Sequence, residues 1–196
     1  MDRSSQLREG VYQAYSAVAE TPQAEHPFAV GREFAERLGY PTELLDQLPA
    51  ESTEAFTGVS NVSIFASIHA GSTVLDVGCG AGLDSLIAAQ RTGENGRVIG
   101  VDFSEAMLTR ARTAAMKAKA MNVEFRRSSA ESMPIEDASI DVAIVNGIFN
   151  LNPAREKIFQ ELARVMKAGG AVYSAEMILR EPLPPEERGD DSDWFA

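Results

Sequence analysis

Cysteine is the scarcest of the chemically informative residues. The chain of 196 residues holds one, Cys79, so no intrachain disulfide and no multi-cysteine metal site is expected. Histidine is nearly as scarce. His26 and His69 sit in polar or turn surroundings and read as surface residues rather than catalytic bases. Long apolar runs are missing. Nothing approaches the roughly 18 to 20 residues of a membrane-spanning helix, and the opening MDRSSQLREG lacks the apolar centre of a secretion signal. A cytoplasmic protein is therefore expected. Positive charge is in deficit, with 18 basic against 29 acidic residues and a net charge of −11. That balance disfavours DNA, RNA and anionic membranes as partners. One basic island stands out: Arg110, Arg112, Lys117 and Lys119, then Arg126 and Arg127. It reads as a solvated helix face or as a contact to an acidic substrate or partner.

What is present is an ordinary globular composition in a chain long enough for one domain and an appendage. Leu7, Val11, Tyr15 and Val18 recur at helical spacing and predict a helix over 5–19. Pro22 and Pro27 forbid its continuation. Phe28, Gly31, Phe34 and Leu38 predict a second helix over 28–38, broken by Gly39-Tyr40-Pro41. Thr42 caps a short turn over 43–48 that stops at Pro49. A polar stretch over 50–58 leads to a helix over 61–68. Residues 1–70 thus read as a helical appendage, and helices ahead of a sheet can roof its ligand edge. Tyr12 and Tyr15 read either as core packing or as part of such a lid.

From Thr73 the pattern alternates. Strands are expected over 73–77, 97–101, 123–127, 140–145 and 171–178, and helices over 83–91, 105–120 and 153–167. Ser104 and Asn152 are the helix caps, Pro153 opens the third helix, and Ala168-Gly169-Gly170 reads as its stop. Regular βα alternation predicts an α/β fold: a doubly wound, mostly parallel sheet with helices on both faces, over residues 71–180. Residues 181–196 hold Pro182, Pro184, Pro185 and six acids and read as an extended or disordered tail.

The chemistry is concentrated in TVLDVGCGAG, residues 73–82. A buried strand runs into glycines at every second position, Gly78, Gly80 and Gly82, and a helix follows. Glycine serves where the backbone bends sharply and a ligand approaches it. A phosphate-gripping P-loop would need Gly-Lys-Ser/Thr, but Leu83-Asp84 follows Gly82. A dinucleotide turn would need G-x-G-x-x-G, and from Gly78 its last position is Leu83. What stands is G-x-G-x-G preceded by Asp76, with Asp102 ending the next strand. A carboxylate there can accept from both hydroxyls of a ribose.

VLDVGCGAG (74–82), VIGVDFS (98–104), SSAESMPIEDASIDVAIVNGIFNL (128–151) and ELARVMKAGGAV (161–172) resemble, in that order, motifs of the class I S-adenosylmethionine-dependent methyltransferases. The resemblance covers about residues 70–180 and implies a Rossmann-like fold with S-adenosyl-L-methionine as cofactor. It also implies roles. The backbone around Gly78, Cys79 and Gly80 would pass under the methionine part. Asp76 would organise that turn and help receive the ammonium. Asp102 would hold the ribose hydroxyls, with Phe103 beside the adenine. Ala130 would offer backbone to an adenine nitrogen, and Ser129 stands where relatives often carry Asp. Asn146 would border the cofactor and the incoming substrate. Cys79 would be a small buried filler rather than a nucleophile.

Methyl transfer from a sulfonium needs alignment and exclusion of water rather than an acid–base pair, so no catalytic residue is singled out. Residues 146–149 read NGIF, not the Asn/Asp-Pro-Pro-aromatic motif of amino methylation. The pattern is most similar to the arsenite methyltransferases and the ubiquinone/menaquinone-biosynthesis methyltransferases. The arsenite pattern has cysteine where Gly147 stands, and a single thiol does not grip As(III) as those enzymes do. The expectation is a methyltransferase acting on a small-molecule acceptor. The alternative is a catalytically impaired cofactor-binding or regulatory module, because the family sheet usually has seven strands and five are seen. The fifth strand would then present an open edge, resolved by a truncated product, by a second copy that covers it or by a partner chain.

Overall fold

A computed structural model describes residues 3–178. The acidic tail read over 181–196 lies outside the described residues. Five helices come first: α1 (Arg3–Glu20), α2 (Arg32–Arg37), α3 (Thr42–Leu45), α4 (Ala50–Thr53) and α5 (Val62–Phe65). Alternation follows with β1 (Thr73–Val77), α6 (Leu83–Thr92), β2 (Arg97–Asp102), α7 (Glu105–Ala118), β3 (Val123–Arg127), β4 (Ile140–Asn146), α8 (Arg155–Val165) and β5 (Met166–Ala175). The sheet order is β3-β2-β1-β4-β5, and every pair is parallel. The expected α/β architecture is what forms, and its described sheet is wholly parallel.

Side chains alternate across this sheet as strand geometry dictates. Leu75, Val77, Ile99, Val101, Ala143 and Val145 face α8, where Ile158, Leu162 and Val165 meet them. Val74, Val98, Val142 and Ile144 face the other way, against Val62 of α5 and Ala88 and Ala89 of α6. A third cluster joins α6 and α7 to the appendage through Leu86, Ile87, Leu108 and Ala111 with Tyr40, Leu45 and Phe56.

Several boundaries differ from the pattern, each for a local reason. The second helix begins at Arg32 rather than 28, because Gly31 sits at φ 92° with its N–H on the Phe56 carbonyl at 2.8 Å. The polar stretch over 50–58 contains α4, and the helix expected over 61–68 is the single turn α5, since Ala66 is extended. Asn152 does not cap α8. Its Oδ1 takes the Ala154 N–H at 2.8 Å in a local turn, and the helix starts at Arg155. Gly169-Gly170 is not a helix stop. It lies inside β5, where the register with β4 shifts between Ile140 and Val142. Gly169 takes φ 82° there, and a Cβ on Gly170 would stand 2.9 Å from the Asp141 carbonyl. The pair lies in an irregular excursion of β5, with Met166 opposite Ile140 and Ala171 opposite Val142. Phe159 of α8 is 53% exposed and stacks on Phe149.

The basic island is largely spent inside the molecule. Arg110 of α7 reaches the carbonyls of Glu51 and Ala19 and the Glu54 carboxylate, and Lys117 pairs with Glu51. Arg112 pairs with Glu105, and Arg126 with Glu124. These contacts mostly dock the appendage onto α7.

Candidate active site

At the C-terminal ends of β1, β2 and β4 lies a cavity of about 430 Å³, the place where open parallel sheets take ligands. Its floor is the glycine turn. Gly78, Gly80 and Gly82 take φ of 72°, 50° and 86°, in the left-handed region where a Cβ is strained. The N–H groups of Gly78 and Cys79 both bond the Val101 carbonyl, at 2.8 and 3.0 Å, which folds the turn across the end of β2. A Cβ on Gly80 would meet nothing nearer than Met107 Sδ, 4.0 Å away. Glycine there leaves backbone bare toward the cavity.

Asp102 closes the turn from β2. It is 7% exposed. Its Oδ2 accepts from the Gly80 N–H at 2.9 Å and its Oδ1 from the Ser104 N–H at 2.8 Å. Each oxygen keeps lone-pair capacity for a further donor. Burial pushes this carboxyl up to about 6, against the pull of those backbone bonds. Burial, with the charges of Asp102 and Asp76, likewise raises the Cys79 thiol far above its usual range. That makes it inert as a nucleophile.

Asp76 and Asp84 form a second acidic group. Asp76, 2% exposed, accepts from the Ser85 hydroxyl at 2.5 Å. Asp84, on the first turn of α6, accepts from the Tyr40 hydroxyl at 2.6 Å, from the Ser63 hydroxyl and from the Asn146 amide at 2.9 Å. Burial and the adjacent Asp84 hold the Asp76 carboxyl well above the usual carboxylate range. The same Asn146 amide donates to the Ser60 carbonyl at 2.7 Å, and its oxygen accepts from the N–H groups of Val59 and Ser60. Asn146 therefore borders the cavity, but its head group is committed to holding the 57–61 loop.

The walls come from both halves of the chain. Ser5, Arg8, Tyr12 and Tyr15 of α1 line one side. Tyr12 packs on Phe103 with ring centroids 5.8 Å apart, and Arg8 pairs with Glu131 at 2.8 Å. Tyr15 stacks on Phe28. Burial and the charges of Asp102 and Glu176 keep its phenol protonated at any ordinary pH. On the far side, Glu176 gathers the loop after β4 by accepting from the N–H groups of Ile148, Phe149 and Asn150.

All nine residues singled out from the sequence line this cavity: Asp76, Gly78, Cys79, Gly80, Asp102, Phe103, Ser129, Ala130 and Asn146. Pattern reading missed Asp84 with its Tyr40 and Ser63 partners, and Glu176. Asp84 follows Gly82 directly enough to be seen, but its partners lie 44 and 21 residues away. Nothing local announces Glu176.

A family model for the methyltransferase domain matches residues 68–194. The chain belongs to that family. The chain is 37% identical over 156 residues to the arsenite methyltransferase of Halobacterium salinarum, covering 80% of this chain and 40% of that one. It is 41% identical over 121 residues to the demethylmenaquinone methyltransferase of Desulfitobacterium hafniense, covering 61% and 47%. A solved arsenic(III) S-adenosylmethionine methyltransferase from Chlamydomonas reinhardtii superposes with a TM-score of 0.62 at 29% identity, over 79% of this chain and 51% of that one. The chain thus spans somewhat less than half the length of these two curated relatives. Family and fold together imply S-adenosylmethionine as the cofactor. These relatives lend no support to the regulatory alternative. Among the described residues, no helix is long and apolar enough to cross a membrane.

Proposed function

We propose that the chain carries S-adenosylmethionine-dependent methyl transfer to a small-molecule acceptor, with the cavity above β1 and β2 as the site. The observation that carries this reading is the meeting of Asp102 and the glycine turn. A buried carboxylate with one backbone bond on each oxygen keeps two acceptor positions for the hydroxyls of a ribose, beside a bare glycine backbone. When bound there, the cofactor supplies a methyl group already activated on a sulfonium. Asp102 holds the ribose, Phe103 and Tyr12 flank the adenine, and the Ala130 backbone with Ser129 borders its edge. Asp76 faces the methionine ammonium. Tyr15 and the loop held by Glu176 enclose the middle of the cavity, exclude water and align the acceptor. Ile148, Leu151 and Phe56 in the cavity wall favour an uncharged, largely apolar acceptor. The described wall offers Cys79 as its thiol, and that group is buried and protonated, so a thiolate grip on arsenic does not fit.

Calorimetry with S-adenosylmethionine and S-adenosylhomocysteine is the direct test. Both should bind the wild-type chain, and Asp102→Ala should weaken each at least about tenfold, the effect of losing charge-assisted hydrogen bonds. Absence of heat from both ligands would sink the reading. Turnover is then read across phenols, quinols and thiols. The edge of β5, with Val172 43% exposed, is proposed as the face a second copy covers. A monomer by light scattering at micromolar concentration would count against that.

A further inference from the structure

Two buried carboxylates face one cavity with no cation beside them. Asp76 on β1 and Asp84 on α6 are 2% and 6% exposed, and both line it. The groups facing Asp84 are neutral donors: Tyr40 from the segment before α3, Ser63 from α5 and Asn146 from the end of β4. Asp76 meets the Ser85 hydroxyl of α6, and the charges acting on it are those of Asp84 and, from β2, Asp102. The two arginines lining the cavity are engaged elsewhere, Arg8 with Glu131 and Arg127 with the Phe103 carbonyl. Among the described residues, no group of three or more His, Cys, Asp or Glu is arranged to hold a metal ion. Two carboxylates this dry, one acting on the other through its charge, do not both ionise. Side chains of three residues donate to Asp84, whereas Asp76 is served by Ser85 alone, so Asp84 keeps the charge and Asp76 the proton.

We propose that the ligand-free protein stores one proton on Asp76, kept there by the Asp84 anion, and that a ligand bringing a charged amino group into the cavity expels it. The O–H bond of Asp76 breaks, the proton passes to solvent, and the carboxylate is left facing the ammonium, whose own protons stay in place. The inference rests on the S-adenosylmethionine reading of this cavity and adds a linkage between donor binding and pH. Because the free form holds the extra proton, raising the pH strengthens binding, by at most about tenfold per pH unit.

The test is calorimetric titration of the full chain at pH 7 in phosphate and in imidazole, buffers with different ionisation enthalpies. At that pH Asp102, pushed up only to about 6, is already mostly ionised. The S-adenosylmethionine heats should differ between buffers by the release of about one proton per site. 5′-Methylthioadenosine, which shares the adenosine but has no amino group, should give equal heats. Asp76→Asn should abolish the difference. Infrared difference spectra of the wild-type chain should lose a protonated-carboxyl band on adding S-adenosylmethionine. Binding with equal heats in the two buffers, or no loss of that band, overturns the proton store alone. Equal release with 5′-methylthioadenosine overturns the role of the amino group. No heat from any ligand overturns the cavity reading and this inference together.

Discussion

Asp102 does two things with one carboxylate, and they conflict. It organises the glycine turn through Gly80, and it must be charged to do so well, yet it is buried. Burial sets its carboxyl at about 6, above the roughly 3.9 of an unfolded aspartate. Between those values the folded chain holds a proton that the unfolded chain has lost. Its contribution to stability is therefore complete below about pH 4 and fades as pH rises through 6, a swing of about 3 kcal/mol. Urea unfolding of Asp102→Asn, compared with wild type at pH 4 and pH 7, should show the variant gaining relative stability by about that amount. An unchanged difference would mean the carboxyl is not desolvated. Gly78 is constrained differently. At φ 72°, a Cβ would also stand 2.1 Å from Ile148 Cδ1. Gly78→Ala should cost about 1 to 2 kcal/mol from backbone conformation alone. It should also push Ile148 within the cavity, so that ligand affinity falls in the same calorimetric assay.

At the scale of elements, α1 is lightly packed for its length. Over 18 residues it buries Leu7, Val11, Val18 and Ala19, and its ion pair to Glu131 uses an arginine that is half exposed, worth well under about 1 kcal/mol. It should open locally far more readily than the sheet. Amide exchange over residues 3–20 should be fast in the free protein, while β1 and β4 stay protected. S-adenosylmethionine at about 100 times Kd should slow exchange in α1 by up to about 100-fold. Exchange in α1 that ignores the ligand would rule out its service as a roof. The sequence carried part of this story. The period of α1, the glycine turn and the acid ending β2 are local signals, and all were legible. Whether Tyr12 and Tyr15 faced a core or a ligand was not, because one apolar stripe serves either purpose. Gly169-Gly170 misled for a related reason. Two glycines after a helical pattern look the same whether they end a helix or lie in an irregular stretch of strand beside Asp141. The Asp84 network and Glu176 were beyond local reading, since their partners converge only when the sheet is assembled.

On the scale of the whole molecule, the break in pattern near residue 70 is a boundary in the chain more than in the structure. Tyr40 and Ser63 reach across to Asp84, Val59 and Ser60 hang on Asn146, and Ser16 meets Ser104 at 2.9 Å. Arg110 reaches Ala19 and Glu54, and one apolar cluster holds residues from both sides. Ties of this kind should make the helical appendage and the sheet a single cooperative unit. Three of the four tyrosines, Tyr12, Tyr15 and Tyr40, lie in the appendage, so the tyrosine bands of the near-ultraviolet circular dichroism watch it preferentially while the far-ultraviolet signal watches the whole. The two urea transitions should coincide. Tyr40→Phe removes a hydroxyl that donates to a buried carboxylate and should lower stability by about 1.5 to 3 kcal/mol, moving both transitions together. Two separate midpoints in the wild type would make the appendage an independent body. Its hold on Asp84 and Asn146 would then be too weak to shape the floor of the cavity.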